Sequence, residues 1–331
     1  MSQQPPRHVA PRPEAYRREA MGIAFAFICL AIVGVMPIIS ASRPAGSDAL
    51  SFALLMSFWQ LVCSLPLVWR KGQAADVILG RVRTTVPRGW MHAVTLGTGM
   101  MFGLSTYVFV LSVDKAGEVS TAIALQAYPL FSMLWEVVFL GKRKSGLELV
   151  FTLLMILALV YLATNGTFRI EGLSLWFLVA LGTPLLWSVA HVALKEVLDR
   201  SAITPAQVTF SRLLVSTCFL LVLWLAVGGG QAGLREVMSP RFQELALLLG
   251  AIYYLELLTW FHAVRHVDVS VASSITIPAP ALTMLIGAAF LHVPVRSYQL
   301  AAMGVIVAGM YGLLYAGRRK RVAAGRIPAV S

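Results

Sequence analysis

Charge is what this chain has least of. Of its 331 residues only 13% are Asp, Glu, Lys or Arg, while 58% are hydrophobic; a soluble domain runs nearer a quarter charged. A chain so short of polar groups cannot cover a surface that faces water. That excludes an ordinary soluble fold and implies lipid as solvent. Cysteine is scarce as well. Cys29, Cys63 and Cys218 each sit inside an apolar run, without Cys-x-x-Cys spacing or histidine partners, so neither a metal site nor a disulfide framework is expected. No cofactor is expected either. Catalytic signatures are missing: there is no HExxH, no GxSxG and no pair of aspartates within the apolar runs. An intramembrane enzyme is therefore the weaker alternative, as is a sensor or scaffold that does not transport.

Apolar runs are what the chain has in abundance. They fall at about 20–41, 49–69, 90–111, 119–140 and 145–164, then, after a polar loop at 165–172, at 173–194, 204–227, 242–264, 269–291 and 297–316. Each is close to the roughly 20 residues that cross a bilayer as a helix. A lipid-facing segment must satisfy its backbone hydrogen bonds within itself, so helices are expected in every run. The ten-residue alternation of an outer-membrane barrel is absent. The run at 20–41 exceeds the length of a typical signal-peptide core and is expected to be the first span.

The net charge of +12 is spread through short loops and does not gather in one patch, which argues against nucleic acid as a partner. Its distribution sets orientation instead. Of 27 Lys and Arg, 20 lie in the N-terminal tail, the even-numbered loops and the C-terminal tail. Arg43, Lys115, Arg169, Arg235, Arg241 and Arg296 lie on the opposite side, and Arg212 lies within a span. The positive-inside rule then predicts an even number of spans in an inner membrane, with both termini cytoplasmic.

An internal repeat organises the runs. Superimposing Phe139-Leu140 on Phe290-Leu291, an offset of 151, also lays Pro129 on Pro280. Five spans per half is an odd number, so the halves must be inverted relative to one another, as in many secondary transporters. The expected layout is a cytoplasmic tail over 1–19, a first repeat over 20–164, a second over 173–316 and a basic tail over 317–331.

The stretch AIALQAYPLFSMLWEVVFLGK at 122–142 resembles the fourth-helix signature of EamA-type members of the drug/metabolite transporter superfamily. So do SSITIPAPALTMLIGAAFLHVP at 273–294 and QLAAMGVIVAGMYGLLY at 299–315. The likeness covers about residues 20–317. It departs at Lys142 and Val293, where many relatives are acidic, and at Val33-Gly34, where a tryptophan is common. The resemblance implies an all-helical fold of ten transmembrane helices, five plus five, around a central cavity, with helices 5 and 10 as outer scaffold. It also implies alternating-access transport, usually outward, of a small metabolite such as an amino acid or an amphipathic compound.

Ionisable groups inside spans are costly and point to function. Arg212 and Glu256 each lie about eight residues from the basic ends of their spans, roughly 12 Å deep at 1.5 Å per residue. That matched depth permits an ion pair, with Arg212 as a candidate for holding a substrate carboxylate and Glu256 as its exchangeable partner or a proton carrier. His191 is a second candidate for proton coupling. Gln60, 152 positions before Arg212, suggests a shared polar layer. Gln126, Tyr128, Ser274 and the helix-kinking Pro129, Pro278 and Pro280 mark the corresponding places in the two repeats, where a freed carbonyl can face a ligand. Tyr107, Trp187, Tyr253, Tyr254 and Trp260 lie deep enough to form an aromatic wall. Gly304, Ala308 and Gly312 form a small-residue stripe on the last helix, a packing face or the seam of a homodimer. The expected partners are a small-molecule substrate and the lipid bilayer.

Overall fold

A computed structural model describes residues 13–44, 46–69, 87–128, 145–169, 174–200, 204–227, 235–266, 275–292 and 294–323, with 130, 131, 134, 135, 138 and 272 between them. Among these residues every regular element is a helix: α1 (Pro13–Ala41), α2 (Ala49–Trp69), α3 (Arg88–Ala116), α4 (Glu118–Leu125), α5 (Gly146–Ala163), α6 (Leu175–Arg200), α7 (Pro205–Val227), α8 (Pro240–His266), α9 (Ala279–Phe290) and α10 (Ser297–Ala323). Seven of them, all but α4, α6 and α9, are long and apolar enough to cross a membrane. The chain is a multi-pass membrane protein.

The outer surface bears this out. On α5, Leu147, Leu149, Val150, Leu153, Leu154, Ile156, Leu157 and Val160 are exposed. Aliphatic side chains in such a stripe would be an aggregation hazard in water, whereas lipid solvates them. The helix starts where Ser145 and Glu148 form a capping box.

Two expected continuous spans are interrupted. The run expected at 119–140 stops after Leu125 in a turn at Gln126–Ala127, and that expected at 269–291 turns at Ile277–Pro278 before α9 begins. The two turns lie 151 residues apart, the same offset as the sequence repeat. Pro278 caps α9 and Pro280 stands at its second position, where a missing N–H costs no helical bond. These prolines begin a helix; they do not kink one. Pro129 lies outside the described residues.

Packing follows the same pairing. α1 lies against α8 and α9, and α6 lies against α3 and α4; α3 packs on α7 and α8 on α2; α2 meets α7, α4 meets α9 and α5 meets α10. Exchanging the first five helices with the last five maps these pairings onto one another, whereas the contacts of α1 with α3 and α4, and of α3 with α4, have no counterpart of similar extent among the described residues. Small residues make the approaches close. A Cβ on Gly99 would stand 2.5 Å from Val215, and the Ser216 hydroxyl donates to the Gly99 carbonyl at 2.7 Å. Thr283 on α9 donates likewise to Gly34 on α1 at 2.7 Å. The stripe on α10 divides: Gly312 is filled by Phe151 of α5, whereas Gly304 has nothing within 4 Å of its would-be Cβ.

These contacts give a stability test. A Cβ on Gly250 would stand 2.8 Å from the Met56 carbonyl and 2.9 Å from Trp59, backbone and β-carbon that cannot swing aside. Overpacking of this kind costs about 1–3 kcal/mol. Gly250→Ala should lower the unfolding midpoint in detergent, while Gly304→Ala should hold or raise it, since Ala is the better helix former. Equal midpoints would contradict the packing.

Candidate functional site

The interrupted helices leave a cavity of about 110 Å³ in the middle of the bundle. Its wall is built from α1 (Cys29, Val33), α3 (Phe102), the α4 break (Leu125, Gln126, Tyr128), α6 (Trp187, His191), α7 (Arg212), α8 (Tyr253, Glu256, Leu257, Trp260), Thr276 before α9, and Met310 on α10. Space of this size holds several waters or a small ligand.

Arg212 dominates the site. It is 4% exposed, and its Nε and Nη1 are buried without a hydrogen-bond partner. Its guanidinium carbon sits 3.5 Å from the centroid of the Phe102 ring, a cation–π contact on one face. Salt bridges among the described residues are confined to Arg43, Lys115 and Asp114. The expected Arg212–Glu256 contact pair is thus not formed. The reason is topological: α2 packs against both α7 and α8, which scarcely touch one another, so the two charged groups meet only across the cavity. They still act on one another electrostatically, with Tyr253 beside the guanidinium. Glu256 accepts instead from the Cys29 thiol at 3.6 Å.

Aromatic groups complete the wall. The Phe102 ring lies between Arg212 and His191, whose ring centroid is 5.2 Å away, and Tyr128 meets His191 edge-on at 5.7 Å. The Trp187 indole N–H donates to Ser105 at 3.0 Å, which fixes the ring. A cavity with one cation, one carboxyl group and several ring faces can hold a small molecule carrying an anionic group and an apolar or cationic remainder.

Of the residues expected from sequence, Gln126, Tyr128, Trp187, His191, Arg212, Tyr253, Glu256 and Trp260 line this cavity. Gln60, Tyr107 and Tyr254 do not. Gln60 is buried where α2 meets Gly250 of α8; Tyr107 and Tyr254 pack with the large apolar cluster beside the cavity. Ser274 lies outside the described residues. Sequence reasoning missed Cys29, Val33, Phe102, Leu125, Leu257 and Met310. The last shows that α10, expected as outer scaffold, contributes one wall residue.

Residues 174–315 match the EamA-like transporter family. A "Probable terminal-alkyne amino-acid exporter" of Streptantibioticus cattleyicolor is 29% identical to this chain over 223 residues, 66% of this chain and 70% of that protein. A solved crystal structure of a protein 16% identical superposes with a TM-score of 0.60 over 90% of this chain and 97% of its own. At that identity the likeness concerns the fold alone.

A buried cation without a contact partner carries a desolvation cost that an apolar side chain avoids, and such replacements are often neutral or stabilising by about 1–4 kcal/mol. Arg212→Met should therefore leave the ligand-free unfolding midpoint unchanged or raise it. A fall of many degrees would show that Arg212 is a structural strut.

Proposed function

We propose that the protein is a secondary transporter that exports a small carboxylate-bearing metabolite by alternating access. Ten helices form two inverted five-helix repeats in an inner membrane, with both termini in the cytoplasm. Several observations support this layout: the 151-residue offset between the two helix breaks, the main helix pairings that map onto one another when the halves are exchanged, and the concentration of Lys and Arg in alternate loops. Rocking of one repeat against the other carries the mid-membrane cavity from one side to the other.

The observation that carries the substrate reading is Arg212, buried, stacked on Phe102 and with two of its three guanidinium nitrogens unused. Burying a guanidinium N–H without an acceptor is costly, and a carboxylate entering the cavity supplies that acceptor as a charge-assisted pair. Glu256, across the cavity, holds a cationic group of the same substrate or carries a proton in exchange for it. An amino acid meets both groups, in keeping with the substrate named for the Streptantibioticus relative. Trp187, Trp260, Tyr253 and Phe102 enclose the remainder of the molecule.

Flux of labelled amino acids into proteoliposomes, with and without an imposed pH gradient, tests this reading. Arg212→Gln should lower flux by at least tenfold, since removing one partner of a desolvated charge pair costs about 2–5 kcal/mol. Glu256→Gln should abolish the stimulation by the pH gradient. Flux that responds to the gradient as before in Glu256→Gln would end the proton-carrier role, and undiminished flux in Arg212→Gln would end the carboxylate role.

A further inference from the structure

An apolar cluster separates the cavity from the α1–α2 and α3–α4 turns, and one residue joins the helices at its outer end. Arg43 follows α1, and its side chain is only 4% exposed. Its Nε donates to the Ser40 carbonyl at 2.9 Å and its Nη2 to the Val110 carbonyl on α3 at 3.3 Å. Asp114 Oδ1 stands 3.9 Å away, and the guanidinium carbon lies 5.1 Å from the centroid of the Phe52 ring on α2. One side chain thus joins α1, α2 and α3. Burial pulls its guanidinium below the ordinary value, and Asp114, Asp48 and Glu236 oppose that pull.

Beneath this junction the bundle is mostly apolar. From the cavity residues Val33 and Phe102, the same two helices run outward through Met36, Ile39, Phe109, Val110 and Val113, packed with Phe52 into one buried apolar cluster. Val33 to Arg43 and Phe102 to Asp114 are ten and twelve residues, or roughly 15–18 Å of helix. A second tie reaches the same end from the other repeat, where Glu236 accepts from the Asp48 backbone N–H at 3.1 Å.

The repeat does not carry this pair over at the 151-residue offset. The positions 151 residues beyond Arg43 and Asp114 are Leu194 and Arg265. Leu194 is buried in a small apolar cluster with Phe102, Ala190 and Val208. An opposite-charge pair cannot form from leucine and arginine at these two positions.

We propose that Arg43 is a latch on the external gate, so that the resting protein is closed to the outside and loads its cavity from the cytoplasm. This rests on the alternating-access reading. Turning the cavity outward separates α1 and α2 from α3 and breaks the guanidinium's contacts.

A single cysteine in the cavity reads the gate. Val33→Cys is placed in a background with Cys29, Cys63 and Cys218 changed to serine, and a small membrane-impermeant methanethiosulfonate is added to right-side-out or inverted vesicles. The parent should label faster from the cytoplasmic side. Arg43→Ala should raise the rate from the external side at least tenfold, and Arg169→Ala, exposed in the segment after α5, should not change it. Where Arg43→Ala is not recovered as a monodisperse protein, Asp114→Asn, which leaves the carbonyl contacts in place, should give a rise of about threefold. External labelling at the parental rate in the variant tested would overturn the latch. Flux on the same preparations separates the two readings. Parental flux with unchanged labelling removes the latch alone, whereas tenfold labelling without flux in the parent removes the transport reading and leaves the gate.

Discussion

A guanidinium held inside an apolar bundle, out of contact with any carboxylate, is the constraint around which the rest of this structure is arranged. Arg212 cannot shed its charge, and every N–H left without an acceptor adds to the cost of its burial. The Phe102 ring covers one face at 3.5 Å, and Tyr253 and Glu256 approach from α8. None of these supplies an acceptor for Nε or Nη1. The site is tuned short of satisfaction, which suits a pocket that must release what it binds.

The bundle maintains that shortage by its topology. α2 lies against both α7 and α8 and keeps Arg212 and Glu256 from closing on one another. The turns at Gln126–Ala127 and Ile277–Pro278 open the space into which both groups face. The glycine contacts at Gly99, Gly250 and Gly34 then hold the surrounding helices tightly enough that the cavity stays a defined volume. On the proposed reading the two repeats differ where function requires it. Near the middle, Arg212 on α7 has only Gln60 as its near-equivalent on α2.

The all-helical fold and the position of most helices were legible in the sequence because lipid leaves a coarse signal: twenty apolar residues, then a break with charge. The charged members of the site were legible for the converse reason. Arg212 and Glu256 are exceptions in apolar runs, and Gln126 and Tyr128 stand beside a proline. The apolar wall was not legible. Phe102, Val33, Leu257 and Met310 belong to helices that are hydrophobic all round, so nothing in the sequence separates a cavity face from a lipid face. Gln60, Tyr107 and Tyr254 show the reverse error, since polar or aromatic character placed them in a cavity that helix rotation turns them away from. Two full-length spans were expected where α4 and α9 are broken, because composition registers a proline but not the turn that precedes it.

Ligand-induced stabilisation tests the central claim most directly. An unfolding midpoint is measured for the purified protein against a panel of metabolites, each carboxylic acid paired with its own methyl ester or amide. The unused N–H groups of Arg212 predict that at least one acid raises the midpoint while its neutral partner does not, and that the difference vanishes in Arg212→Gln. Equal shifts from acid and ester, or a shift that survives in Arg212→Gln, would contradict the account.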